Sequence, residues 1–197
     1  MGSLPSSSGH SIRRQDETER QRAATEGTRV PKLSKRDQLL EATKELLWEV
    51  GFEAMSPRDI QERSEARPGS LYHHFPSKLA IAGQALEDLA QKEVAQIDEF
   101  LSTDGPPLDT LRQYLLFKRD TSCRGCRFGR LVNEASIENN ELRGPVTSVF
   151  EAIRANLTQL LTRAQGEGTL PPGLHPQTLA VSLLALMQGG AVLARTY

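Results

Sequence analysis

The residues best suited to chemistry lie close together. Between Ser56 and Lys78 the chain reads SPRDIQERSEARPGSLYHHFPSK, in which Arg58, Arg67, Ser70, Tyr72, His73, His74 and Lys78 supply hydrogen-bond donors. Donors of this kind, some of them cationic, match phosphate oxygens and the acceptors on base edges. Arginine is the side chain that grips a guanine in two places, which marks Arg67 and Arg58 as candidate base readers. A second group is SCRGCRFGR, residues 122–130, where Cys123 and Cys126 form a single C-x-x-C. Arg124, Arg127 and Arg130 flank the thiols and would favour the reactive thiolate form if close in space. Zinc would need two more ligands at suitable spacing, and the sequence holds neither a second cysteine pair nor a paired-histidine motif, so no metal is expected. The thiols therefore read as small residues of a cavity wall or as a redox or electrophile sensor. Glu134, among apolar neighbours, is a candidate pocket carboxylate. There is no phosphate-binding glycine loop and no nucleophile elbow, so neither an enzyme nor a cofactor is expected. The rival from another class, a thiol oxidoreductase, would want a strand before the C-x-x-C, and no strand pattern is visible.

Short helices must position the first group. Ser56 is a good N-cap, Pro57 suits a first helical turn and Asp59 stands where a capping-box acid would be. That starts one helix, with Ile60 inward. Pro68 opens a second, on which Leu71 and Phe75 face inward together. This leaves Gly69, Ser70, Tyr72, His73 and His74 pointing elsewhere. Pro76 ends it, and Ser77 caps the next helix with Lys78 in its first turn. Two helices this short bury little alone, and a helix-turn-helix presented to DNA is the economical explanation. Upstream, Ser34 precedes a helix to Val50, with Gly51 as its left-handed C′ residue and Phe52 packing back. Trp48 sits beside the inward stripe of that helix in a packing role.

Downstream, apolar residues from Leu79 to Leu101 keep helical spacing until STDGPP breaks the run. A shorter helix follows with Leu108, Leu111, Tyr114 and Leu115 on its apolar side. The two glycines of 122–130 argue for a loop or broken helix. Leu131 to Ile137 looks helical, and Pro145 opens a long helix that continues to Ala164. Pro176, preceded by His175, starts a helix apolar on most sides. Such a helix must be buried, either as the centre of its domain or as half of a dimer seam. The fold expected is all-α.

With 38% hydrophobic and 25% charged residues, the chain has the composition of a globular protein. A net charge of −1 requires any DNA binding to come from a local basic surface. Residues 1–31 read as a disordered tail, its arginines interleaved with Asp16, Glu17, Glu19 and Glu26. No signal peptide is visible. The most apolar run, Leu179 to Ala194, is interrupted by polar residues and glycine and reads as too short to span a bilayer. A cytoplasmic location without a membrane partner is the expectation.

These elements, and above all G-S-L-Y-H-H-F-P-S-K from Gly69 to Lys78, resemble the TetR family of transcriptional repressors. The resemblance implies a three-helix DNA-binding domain over residues 32–80 and a helical ligand-binding and dimerisation domain over 81–197. Family members usually carry more helix beyond the last apolar one, which points to a truncated C-terminus. It also implies that the helix from Pro68 enters the major groove with Arg67, Pro68, Gly69 and Ser70 nearest the bases. Tyr72, His73 and Lys78 resemble the family's phosphate contacts, with His74 beside them. The implied partners are a pseudo-palindromic operator in double-stranded DNA, a second copy of the chain and a small-molecule inducer. The segment from Cys126 to Glu134 and Gln188-Gly189-Gly190 resemble the multidrug- and electrophile-sensing branch. One departure stands out: the turn usually holds Ala-Gly-Val and here reads Ser64-Glu65-Ala66, so Glu65 occupies a place where positive φ is wanted.

Overall fold

The structure is a computed structural model that describes residues 33–121 and 125–195. The expected tail over 1–31 and Cys123 lie outside the described residues. From Lys35 onward the chain forms one compact unit, all helical among the described residues.

Helix α1, Lys35–Glu49, buries Leu39, Leu40, Thr43, Leu46 and Leu47 on one face. Gly51 then takes φ +86°, the left-handed conformation that a side chain resists. The chain does not enter a coil there but makes one more turn, α2 (Gly51–Ala54). Helix α3, Pro57–Arg63, begins with the expected reciprocal cap. The Ser56 hydroxyl accepts from the Asp59 N–H at 3.2 Å, and the Asp59 carboxylate accepts from the Ser56 N–H at 2.8 Å. Both donors belong to the orphan set of a helix start. Helix α4, Ser70–His74, is a single turn. It starts two residues later than the sequence suggested, because Pro68 and Gly69 form a tight turn in which the Ser70 N–H reaches the Arg67 carbonyl at 3.0 Å. Ser77 caps α5, Lys78–Leu101, by accepting from the Ala80 N–H at 3.0 Å.

The rest comprises α6 (Pro107–Thr121), α7 (Arg127–Leu131), a 3-10 turn (Ala135–Glu138), α8 (Asn140–Gly166) and α9 (Pro176–Leu193). The long helices α5 and α8 pack side by side. Ile81, Ala82, Ala85, Leu86 and Ile97 meet the α8 stripe of Val146, Val149, Ile153, Leu157 and Leu161 in one buried core. Burying each Leu or Ile fully there is worth about 2 kcal/mol over leaving it exposed.

Three expectations for this part need correction. Helix α8 starts at Asn140 rather than Pro145, because the Asn139 side chain caps it by accepting from the Glu141 N–H at 2.9 Å. Pro145 sits inside the second turn, where only one carbonyl loses its donor. On α6 the buried residues are Pro107, Thr110 and Tyr114, while Leu108, on the face expected inward, is 37% exposed. Of the two readings of α9, it is not the enclosed centre of its domain: only Pro176, Ala180 and Ala191 are buried within the single chain, and Val181, Leu186, Val192 and Leu193 stand exposed. With 18 residues and a mean hydropathy of 1.3, α9 is also long and apolar enough by composition to cross a membrane, contrary to the reading of its length. Its inner side packs along α8.

Candidate nucleic-acid interface and effector cavity

The surface made by α3, the turn after it and α4 is held from below. Leu71 and Phe75 anchor α4 in the core at 0% and 5% exposure, and the Arg36 guanidinium lies 5.0 Å above the Phe75 ring. Arg63 ties α3 to α1 through Glu45 at 3.0 Å and Glu49 at 2.7 Å. With these residues turned inward, Arg67, Pro68, Gly69, Tyr72 and His73 are exposed together, and Ser70 and His74 are half-buried beside them. Arg58 is exposed on α3 and paired with Glu62 one turn on at 2.7 Å, an exposed contact worth little and easily exchanged for another acceptor. Gly69 takes φ +84°, and a Cβ there would meet nothing within 4 Å. The glycine serves the backbone conformation and not a close approach. Glu65 adopts φ +52°, so the turn keeps its left-handed residue despite the missing glycine.

Lys78 is placed differently from a surface cation. Its ammonium donates to the carbonyls of Phe52 and Met55, each at 3.0 Å, and lies 4.1 Å from the centre of the Phe52 ring. It therefore holds the carbonyl end of the Gly51–Met55 turn. The amide end of the same turn is held from far along the chain. Glu134 accepts from the N–H groups of Phe52 and Glu53, both at 3.0 Å, and Glu53 accepts in return from the Ser136 N–H at 2.8 Å. Glu134 is thus a cap on α2 and not a residue of the cavity wall. The Gly51 backbone passes so close that a Cβ would fall 1.8 Å from a Glu134 carboxylate oxygen.

A cavity of about 550 Å³ lies among α5 to α9 beside the end of α1. The Cys126 thiol is on its wall, half-buried, and accepts from the Gly129 N–H at 3.3 Å as the cap of α7. Phe128, from the same short helix, and Phe117, Phe150 and Met187 supply apolar surface. Trp48 reaches the wall as well, with the Arg127 guanidinium 4.5 Å above its ring. Lys118 pairs with Glu93 at the polar end. An adjoining cavity of about 470 Å³ shares Gln96, Phe117 and Lys118 and is lined by Tyr114. Tyr114 is 1% exposed, and its hydroxyl has no hydrogen-bond partner among the described residues. Burial, with Glu93 and the Cys126 thiol adding to it, pushes that hydroxyl far above the usual phenol range. It stays a proton donor. Among the described residues no group of three or more metal-ligating side chains comes together.

Sequence reasoning singled out the set exposed on α3, α4 and the turn between them but missed Trp48, Tyr114, Lys118 and Arg127 as cavity residues. Tyr114 and Lys118 share one face of α6, four residues apart, but Trp48 and Arg127 come from other helices, and only packing brings them together.

The comparisons with known proteins bear on the same two regions. Residues 39–85 match the family model for bacterial regulatory proteins of the tetR family. Residues 109–197 match the tetracyclin repressor-like C-terminal domain. The chain belongs to the TetR family of transcriptional regulators. It is 28% identical over 158 residues to the HTH-type transcriptional repressor DhaR of Mycobacterium sp. (strain GP1), covering 78% of this chain and 79% of that protein. Among solved structures, a TetR-family regulator from Agrobacterium tumefaciens superimposes with a TM-score of 0.74 at 25% identity, covering 83% of this chain and 88% of that one. The regulator CifR, solved as a cysteine mutant complexed with a 26 bp double-strand operator, has the same fold, with a TM-score of 0.72 at 20% identity over 84% of this chain and 90% of its own. The family consists of DNA-binding regulators rather than enzymes.

Proposed function

We propose that this TetR-family regulator is a homodimeric repressor that is released from a pseudo-palindromic operator by a small molecule. Residues 32–80 form the reading part and 81–197 the effector and dimer part. One observation carries the reading: a sizeable cavity shares the short helix α7 with the segment whose Glu134 grips the Gly51–Glu53 turn beneath the DNA-facing surface. A molecule that fits the cavity in one arrangement of α7 better than in another shifts the population of reading-unit positions by that difference in affinity.

On the DNA side, Arg67 and Arg58 read base edges from the turn and from α3. Ser70, Tyr72, His73 and His74 meet phosphates, while Pro68 and the left-handed Gly69 shape the turn that leads into α4. Lys78 orders the Gly51–Met55 turn so that α3 and α4 present this set together. The exposed apolar side of α9 supports the dimer, since burying Val181, Leu186, Val192 and Leu193 against a second copy removes them from water. Two reading units about 34–36 Å apart, or a multiple of this, then fit successive major grooves. Titration of the protein onto the DNA upstream of its own gene, at several salt concentrations, tests the reading. A sequence-specific complex with dimer stoichiometry is expected, and its absence would overturn the proposal.

A thiol trigger is the second reading, favoured by the position of Cys126 on the cavity wall. If Cys123→Ser and Cys126→Ser release DNA under oxidant and electrophile as the unaltered protein does, the thiols serve packing alone.

A further inference from the structure

The cavity's charges and aromatic faces discriminate between classes of occupant, given the reading of it as the inducer site. We infer that it takes an amphipathic carboxylate, an apolar chain or ring bearing one anionic oxygen group, and rejects amphipathic cations. Among the described residues Glu93 is the only carboxylate on its wall, and Lys118 already neutralises it. A cationic guest would therefore enter without a counter-charge, which in a half-buried site is costly. Aromatic faces are the other means of holding a cation, and two on this wall, those of Trp48 and Phe117, already face protein cations. Arg127 covers Trp48 at 4.5 Å, and the Lys118 ammonium lies 5.6 Å from the Tyr114 ring and 6.0 Å from that of Phe117.

The donor side is in surplus. Among the described residues Arg127 has no carboxylate partner, its recorded contact being the Trp48 ring. The Tyr114 hydroxyl has no acceptor, next to Lys118 in the adjoining space. An anionic oxygen group near Lys118 and Arg127 would accept from both. Phe128, Phe150, Ile153, Leu183 and Met187 would cover an apolar body, and a volume of about 550 Å³ leaves ample room for a chain of medium length.

Trp48 is the single tryptophan of the chain and lies on the wall, so the chain carries its own optical probe. The experiment titrates its fluorescence with octanoate, octanol and octylammonium, which share one apolar chain and differ only in the head group. Octanoate is expected to bind more tightly than octylammonium by about tenfold or more, the worth of one charge-assisted hydrogen bond. Arg127→Gln should remove most of that advantage while octanol binds as before, which also shows that the variant is folded. Lys118→Met leaves Glu93 unpaired and should move the preference toward octylammonium. Octylammonium binding as well as octanoate to the unaltered protein would overturn the inference and leave the cavity standing as a binding site. If none of the three perturbs Trp48, the reading of the cavity as an inducer site falls and takes this inference with it.

Discussion

Glu65 shows how a single residue carries both a family geometry and a departure from it. The turn needs a left-handed residue, and Glu65 supplies it at φ +52° although its Cβ resists that conformation at roughly 1–2 kcal/mol. Glycine removes the clash but adds freedom to the unfolded chain, so Glu65→Gly is expected to stabilise the protein by about 0.5–1 kcal/mol, a rise of about 2 °C in thermal midpoint. A lower midpoint would mean that the carboxylate makes a compensating contact. At Asp59 the test is pH. The Ser56 backbone N–H, and then its hydroxyl, hold the Asp59 carboxyl below the usual carboxylate range. A folded value lowered in this way gives stability that is complete above the unfolded carboxylate range and is lost as pH falls through the folded value. Asp59→Asn should flatten that acid limb of the midpoint-against-pH curve, and an unaltered limb would show that the cap does not contribute.

The elements divide by how far apart in sequence their causes lie. The Ser56–Asp59 box, the Ser77 cap and the Leu71–Phe75 anchor depend on residues three or four apart, and they were legible before any coordinates. The bracket on the Gly51–Met55 turn was not. Glu134 reaches Phe52 and Glu53 across more than 80 residues, and Lys78 was read as a phosphate contact because its place in the motif says nothing of which way its side chain turns. The cavity escaped for the same reason. Pattern left α9 open between the centre of its domain and a dimer seam, because an all-round apolar surface signals burial but cannot say whether the cover belongs to the same chain. The bracket has its own prediction. Glu134→Ala strips the Phe52 and Glu53 amides of their acceptor, so their hydrogen exchange should accelerate by about tenfold or more, the loss of a bond to a charged group. Unchanged exchange at those two amides would remove Glu134 as a link between α7 and the reading unit.

At the scale of the molecule, the proposed dimer rests on the open side of α9. Val192 is 63% exposed in the single chain and outside the cavity lining, so Val192→Glu has little to disturb within one copy and much to disturb between two. Light scattering should show the variant as a monomer with a nearly unchanged thermal unfolding curve at low concentration, and its operator affinity should fall by at least about a hundredfold, since each half-site then binds alone. A variant that remains dimeric would place the seam elsewhere.

The inward turn of Lys78 has a consequence for how the protein holds random duplex. A ligand of DNA draws much of its sequence-independent attraction from the counterions it releases, about 0.9 of a logarithmic salt unit for each phosphate met. This chain carries a net charge of −1, and one of its motif cations is spent on the Phe52 and Met55 carbonyls. In the proposed mode of binding Lys78 therefore releases no counterion of its own, and the salt dependence on random duplex should be shallower by about one phosphate's worth than the motif's cations alone suggest.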